Sequence, residues 1–269
     1  MRYLTLSPLV HLRFIFLALV CLVTSPLQTA ANPLCFVQIT DSHFGADNNL
    51  EQGRRVVELI NQLPMPVAFV VHTGDILADL ILKPEVVDQA LKVLDDLMPP
   101  LFSIPGNHDL PKTDTDQALA VFRERFGPLV QVEDFGGVVA IFLYVEPAAR
   151  SWPVIAGYDP LAELEKALDQ AGDRPVLLFQ HSPPVGGFFR NMLNSGWPPE
   201  SLQRWEQLVT SHRVKGVFTG HFHKDELHWV GDVPIFVAPP ISQSWGRQTS
   251  LRVYEYQDGK ISYRTLYVQ

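Results

Sequence analysis

Cysteine is nearly absent: the 269 residues contain two, Cys21 and Cys35. Cys21 lies inside an apolar N-terminal run, so loss of that run would leave one thiol, and a disulfide framework is excluded. Cys35 sits in LCFVQI and reads as a small buried hydrophobe of a strand. Charge is also scarce, at 19% of residues, and no long run of one sign occurs. A basic excess is missing: 21 Lys and Arg face 29 Asp and Glu, a formal charge of −8. That balance disfavours tracking a nucleic-acid polymer by bulk electrostatics. It still admits a phosphate substrate, because bound divalent cations would reverse the local field. There is no repeat of solenoid length, and the longest N-terminal apolar stretch is about half of what a spanning helix needs.

Apolar residues make up 46% of the chain at a mean hydropathy of +0.06, enough for a large core. Residues 1–31 read as a secretion signal: Arg2 and Arg13 precede the apolar stretch from Phe14 to Val23, and Thr29-Ala30-Ala31 offers a small-residue cleavage site. The expected location is therefore periplasmic or extracellular. The rival reading is an uncleaved anchor, which would be the chain's only membrane association. Lipidation of Cys21 is disfavoured by bulky Val20. Residues 33–269 show no linker and are expected to form one domain; oligomeric state is not legible.

From Pro33 strands and helices alternate. LCFVQIT reads as a strand, residues 51–63 as a helix, 67–72 as a strand, and 84–98 as a second helix with Pro84 in its first turn. Further helices are expected over 115–126, from Asp159-Pro160 to about Ala171, and over 200–211. Strands are expected at LFSI, VVAIFLYV, VLLF and VKGVF. After His223 come short strands, ELHWV, PIFVA, SLRVYEY and ISYRTLYV, with Gln257-Asp258-Gly259 as a hairpin turn. Parallel βα units followed by a β-rich tail suggest two packed sheets with helices outside.

Five apolar runs end on chemistry-bearing residues. They are Asp41-Ser42-His43, Gly74-Asp75 with Asp79, Gly106-Asn107-His108-Asp109, His181, and Gly220-His221-Phe222-His223. Carboxyl ends of strands form the ligand crevice in open α/β sheets. Mixed carboxylate, amide and imidazole donors suit Mn, Fe or Zn. Asp41, His43, Asp75, Asn107, His181, His221 and His223 are more ligands than one such ion takes, so the count favours two ions sharing Asp75. Taken singly, each segment has an ordinary reading: a turn for Asp-x-His or Gly-Asn, satisfied histidines for His-x-His. Together, at successive strand ends, they do not.

The ordered set DSH, GDILAD, GNHD, QHSPP and GHFH resembles the calcineurin-like metallophosphoesterase superfamily over residues 35–225, and most closely its class III cyclic-nucleotide phosphodiesterase branch. The resemblance implies an α/β/β/α sandwich of two mixed β-sheets flanked by helices, the metallo-dependent phosphatase fold. It implies one metal on Asp41, His43, Asp75 and His223, and a second on Asp75, Asn107, His181 and His221. Asn107 would also meet phosphate, and His108 would sit beside the metals, contact phosphate and protonate the leaving group. The implied reaction is hydrolysis of a small phosphomonoester or phosphodiester by in-line attack of a hydroxide held between the ions.

Three departures stand out. Asp79 follows Asp75 by four residues where many relatives use three, so either Asp79 or Asp109 would orient His108. Gln180 replaces a common histidine. Glu146-Pro147 stands where an Asp-Ser pair is frequent, so the substrate rim is expected to differ. His72 reads as a packed core histidine or a neighbour of the ligands; His11, His212 and His228 read as structural. Phe188, Phe189, Arg190 and Trp197 form either a lid or a solvated loop with aromatic packing, and Trp245 with Arg247 are a weaker version of the same. A non-catalytic metal-stabilised binding protein is the competing function, although such a scaffold has no need of His108. A nuclease is a third, lacking a basic, aromatic-interleaved stripe.

Overall fold

The computed structural model describes residues 33–150, 153–185 and 197–268. The leader, and Phe188, Phe189 and Arg190, lie outside the described residues. Residues Asn32–Gln269 form one compact unit. No helix among the described residues is long and apolar enough to cross a membrane.

Two sheets meet face to face. The first has the order β11-β10-β1-β2-β3, built from β1 (Leu34–Ile39), β2 (Phe69–His72), β3 (Leu101–Ser103), β10 (Ser250–Gln257) and β11 (Lys260–Tyr267). The second has the order β4-β5-β6-β7-β9-β8, from β4 (Val130–Phe135), β5 (Val138–Leu143), β6 (Val176–Phe179), β7 (Val214–Thr219), β8 (Glu226–Val230) and β9 (Val233–Val237). β1, β2 and β3 are parallel, as are β5, β6, β7 and β9, while β10, β11, β4 and β8 add antiparallel pairs at the margins.

Alternation along the strands fixes the layers. Ala140, Phe142, Leu177 and Phe179 join the core shared with the first sheet, whereas Val139, Ile141, Leu143, Val176 and Leu178 face the other way. That second face is covered by α4 (Glu146–Arg150), α5 (Pro160–Ala171) and α6 (Pro199–Ser211) through Leu161, Leu164, Trp205 and Val209. The first sheet is covered by α1 (Asn49–Asn61) and α2 (Pro84–Leu94), which bury Val56, Ile60, Val87 and Val93; α3 (Thr115–Arg125) adds Phe122. Between the sheets Phe36 meets Phe179 and Phe218 edge-on, at 5.4 and 5.1 Å between ring centres. Such pairs add roughly 0.5–1.5 kcal/mol each beyond the area they bury. The result is the expected α/β/β/α sandwich.

Three local expectations change. The helix expected over 84–98 stops at Leu94. Asp95 and Asp96 sit at the negative end of its dipole, and Pro99 disfavours helical backbone at Met98. Strand β4, with Gln131, Glu133 and Asp134, was not expected; it exists as an edge hydrogen-bonded to β5. The chain after β5 turns into the short helix α4 instead of continuing as strand to Val145.

Candidate metal centre

The carboxyl ends of β1, β2, β3, β6 and β7 deliver the expected residues to one place. Parallel pairing of β1 and β2 runs on into their loops: Asp41 N–H donates to Gly74 O at 2.9 Å, His43 N–H to Asp75 O at 3.0 Å, and Phe44 N–H to Ile76 O at 2.8 Å. Within the second sheet, Gly220 N–H donates to His181 O at 3.0 Å, and across the sheets His221 N–H donates to Asp41 Oδ2 at 2.9 Å. Asp41, His43, Asp75, Asp79, His221 and His223 all have left-handed backbone, with φ between 46° and 69°. For non-glycine residues this costs on the order of 1 kcal/mol or more each. Six such residues at one site show backbone bent to aim side chains.

Gly106 makes that crowding possible. A Cβ there would lie 2.2 Å from Asp75 Oδ1 and 2.3 Å from its backbone nitrogen. Gly106→Ala is expected to destabilise the fold by about 1–3 kcal/mol, the usual cost of overpacking, and to lower metal retention together with it. Thermal melting with and without added Mn checks both; an unchanged melting temperature would contradict the close approach.

Three overlapping groups have one donor atom from each member mutually within 4.8 Å: Asp41, His43 and His223; His43, Asp75 and His108; Asp75, His181 and His221. Asp75 Oδ2 stands 3.2 Å from His181 Nε2 and 3.8 Å from His43 Nε2, while its Oδ1 accepts His108 N–H at 2.9 Å. His223 lies with Asp41, its Nε2 3.1 Å from Oδ1. Its Nε2 also lies 3.2 Å from His43 Nε2. Asn107 Oδ1 lies 3.3 Å from His181 Nε2. Asp41, Asp75, His181 and His223 are buried.

This donor set fits divalent ions. Asp41 Oδ1 is buried and receives no well-formed hydrogen bond among the described residues, although His223 Nε2 stands 3.1 Å from it. His181 Nδ1 donates to Thr73 O at 2.7 Å, which turns Nε2 toward Asp75 and Asn107. Locking one ring nitrogen on a carbonyl to aim the other is how ligating histidines are oriented.

Electrostatics agree with that use. Burial raises the Asp75 carboxyl, but His181, His108 and His43 outweigh it and hold Asp75 well below the usual range. Asp41 is held low in the same way, burial being outweighed by His223 and His181. Burial lowers His181, yet Asp75, Asp41 and Glu146 push it up to about 10. An ion held by His181 at neutral pH would then displace a proton from it. Apparent metal affinity is expected to rise about tenfold per pH unit for each displaced proton, below the His181 pKa. Calorimetric titration with Mn in buffers of differing ionisation enthalpy reads the proton count; zero proton release would refute the assignment of His181 as ligand.

His108 and the two candidate aspartates separate cleanly. His108 Nδ1 is 2.8 Å from Asp79 Oδ2. The Asp109 carboxylate instead accepts from the backbone N–H of Ile76, Leu77 and Gly106, at 3.1, 2.8 and 2.8 Å. His72 is buried, takes Gly74 N–H on Nδ1 at 3.3 Å and contacts Ser42 Oγ through Nε2. Burial pushes its pKa down to about 3, so it is a neutral prop for the loop between Asp41 and His43. Trp197 is not at the rim: it is buried beside Trp205, 6.0 Å between ring centres. Gln180 accepts the Trp205 indole N–H at 2.9 Å and donates to Ser182 O at 2.9 Å. Of the weaker pair, Arg247 is exposed and lines a cavity of about 390 Å³ that also touches His223.

One residue of the site was not anticipated. Arg150, at the end of α4, donates through Nη2 to Asn107 Oδ1 at 3.1 Å and stands against His221. Its own partner is Glu146, which is fully buried. The departure at Glu146-Pro147 was visible in the sequence, and an acid four residues before an arginine is a helical pair signal. Nothing local pointed that arginine at residues 107 and 221.

A four-layer sandwich carrying Asp and His clusters at its parallel strand ends defines a metallophosphoesterase class of protein. The calcineurin-like phosphoesterase family model matches residues 35–225, and the chain belongs to that family. It is 32% identical over 203 residues to a probable cyclic nucleotide phosphodiesterase of Rhodopseudomonas palustris, covering 70% of this chain and 71% of the relative. It is 26% identical to the serine/threonine-protein phosphatase CPPED1 of Danio rerio, over 72% of each chain. Among solved structures, a dimetal phosphatase from Danio rerio superposes with a TM-score of 0.62 at 13% identity, covering 87% of this chain and 96% of that one.

Proposed function

We propose that the protein hydrolyses a small phosphomonoester or phosphodiester at a centre of two divalent ions, Mn, Fe or Zn. The observation that carries this reading is Asp75 standing between two donor clusters, with the His108–Asp79 pair beside it. Asp41, His43, Asp75 and His223 would hold one ion, and Asp75, Asn107, His181 and His221 the other. Ions bound there supply Lewis acidity, neutralising charge on phosphoryl oxygens and lowering the pKa of water. The chain's own contribution is placement. Asn107 offers its amide to a phosphoryl oxygen. His108 Nδ1 faces Asp79, so its Nε2 proton is the one available to the leaving oxygen. Burial lowers His108, but Asp75 and Asp79 more than offset it and raise its pKa, favouring the protonated acid.

The finer reading, a cyclic-nucleotide phosphodiesterase, is supported by the name of the Rhodopseudomonas palustris relative. A panel of p-nitrophenyl phosphate, bis-p-nitrophenyl phosphate and cyclic nucleotides with added Mn tests both levels. Hydrolysis of none of them by metal-loaded protein would leave the non-catalytic binding protein as the better account. Residues 1–31 support export as a further proposal, and the N-terminal sequence of protein recovered outside the cytoplasm tests it.

A further inference from the structure

Two residues that the mechanism leaves unused, Glu146 and Arg150, form a device beside the proposed second-ion ligands. β5 ends at Leu143, and Glu146 opens α4 immediately beyond it. Its carboxylate is fully buried and spent on two tasks: Oε2 accepts Arg150 Nε at 2.7 Å, and Oε1 accepts the N–H of Ser182 at 3.2 Å. Ser182 directly follows His181, so one carboxylate fixes the arginine relative to that histidine. A buried carboxylate is retained at a cost unless paired, and this pairing leaves the Arg150 side chain only 14% exposed. The guanidinium sits on Asn107 Oδ1 and against His221.

That place is informative. An arginine serving packing alone commonly ends on backbone carbonyls or a surface acid. Arg150 ends on two side chains assigned here to the same ion. Asn107 Oδ1 has two lone pairs, so accepting from Arg150 does not bar it from an ion. A phosphoryl group seated at Asn107 and His221 then meets a planar, permanently charged donor fork, the geometry suited to phosphate oxygens.

We propose that Arg150, held by Glu146, is a specificity-determining residue that favours substrates with a doubly charged terminal phosphate, that is, phosphomonoesters over diesters. The inference rests on the phosphoesterase reading, chooses between its two substrate classes, and weighs against the finer cyclic-nucleotide reading, since a cyclic nucleotide is a diester. A monoester carries two negative charges and three terminal oxygens, whereas a diester carries one charge and two. A fixed cation therefore discriminates between them before any contact with the organic group.

The experiment compares wild type, Arg150→Met, Arg150→Lys and Glu146→Gln as full-length, Mn-loaded protein. Expected for Arg150→Met is a fall in kcat/KM of about 10- to 100-fold on p-nitrophenyl phosphate, from loss of one charge-assisted hydrogen bond. The fall on bis-p-nitrophenyl phosphate is expected to be less than about threefold. Arg150→Lys should recover part of the monoester rate, because it keeps the charge without the fork. Glu146→Gln should raise KM for the monoester more than it lowers kcat. Inorganic phosphate, titrated calorimetrically, should bind Arg150→Met about tenfold or more weakly at unchanged metal content. Equal falls on both esters with unchanged phosphate affinity would reduce Arg150 to a structural part and overturn the proposal. So would a rise in metal content with unchanged phosphate affinity, which would make the arginine a competitor of the ion. Should wild type hydrolyse neither ester, the phosphoesterase reading fails by itself, and the phosphate titration still decides the role of Arg150.

Discussion

Asp75→Asn should strip at least one of the two proposed ions from the site while leaving the sandwich folded. The substitution keeps the shape of the side chain and removes the charge that both donor clusters share. Asp75 Oδ2 stands between His181 and His43, at 3.2 and 3.8 Å, so a neutral amide weakens both proposed sites at once. Elemental analysis of protein purified without chelator is expected to find at least one ion fewer per chain than in wild type. Turnover should fall about 10³-fold or more, since loss of a single electrostatic stabiliser alone costs 10²–10³-fold. The metal-free protein adds a check. Asp75 is held well below the unfolded carboxylate value, so its contribution to stability is present above about pH 4 and fades as pH falls through its folded pKa. Asp75→Asn should flatten that acid limb of the stability curve. Full metal content and more than about a tenth of wild-type activity in Asp75→Asn would remove the shared-aspartate model.

Much of this site was legible because each donor sits where an apolar run stops. Val70 and Val71 precede Thr73-Gly74-Asp75, and Leu178 and Phe179 precede His181, so strand ends and candidate ligands coincide along the chain. The alternation of strands and helices similarly announced two sheets with helices outside. What stayed hidden depends on contacts between distant segments. Strand β4 is polar at Gln131, Glu133 and Asp134 and gains its identity from pairing with β5. Asp79 and Asp109 were equivalent candidates until the fold placed three backbone N–H groups around Asp109. Arg150 reaches partners 43 and 71 positions away in sequence, a distance no local pattern spans. Left-handed backbone at Asp41, Asp75 and His223 is equally silent in the sequence, because none of the three is glycine. For Trp197 the sequence left a lid and aromatic packing equally open, and only the fold shows the indole turned inward onto Trp205.

Removal of the acid should be felt according to the leaving group. In His108→Ala the imidazole whose Nδ1 lies 2.8 Å from Asp79 is gone, and with it the proton source for the departing oxygen. General acid catalysis contributes about 10²–10⁴-fold when the leaving oxyanion is a strong base. An alkyl phosphate ester or a cyclic nucleotide should therefore lose about that much in kcat. p-Nitrophenyl esters should lose much less, because nitrophenolate departs without protonation. KM and metal content should change little, since His108 is not among the proposed ligands. The pH profile carries the sign. Asp75 and Asp79 raise the His108 pKa, so the working acid persists to higher pH, and wild-type rates should decline as pH rises through that value. His108→Ala should lose this alkaline decline altogether, while Asp79→Asn should shift it toward lower pH with about a tenfold smaller rate. A uniform loss across nitrophenyl and alkyl esters, with the alkaline limb intact, would assign the proton to another group and leave His108 as a contact to phosphate alone.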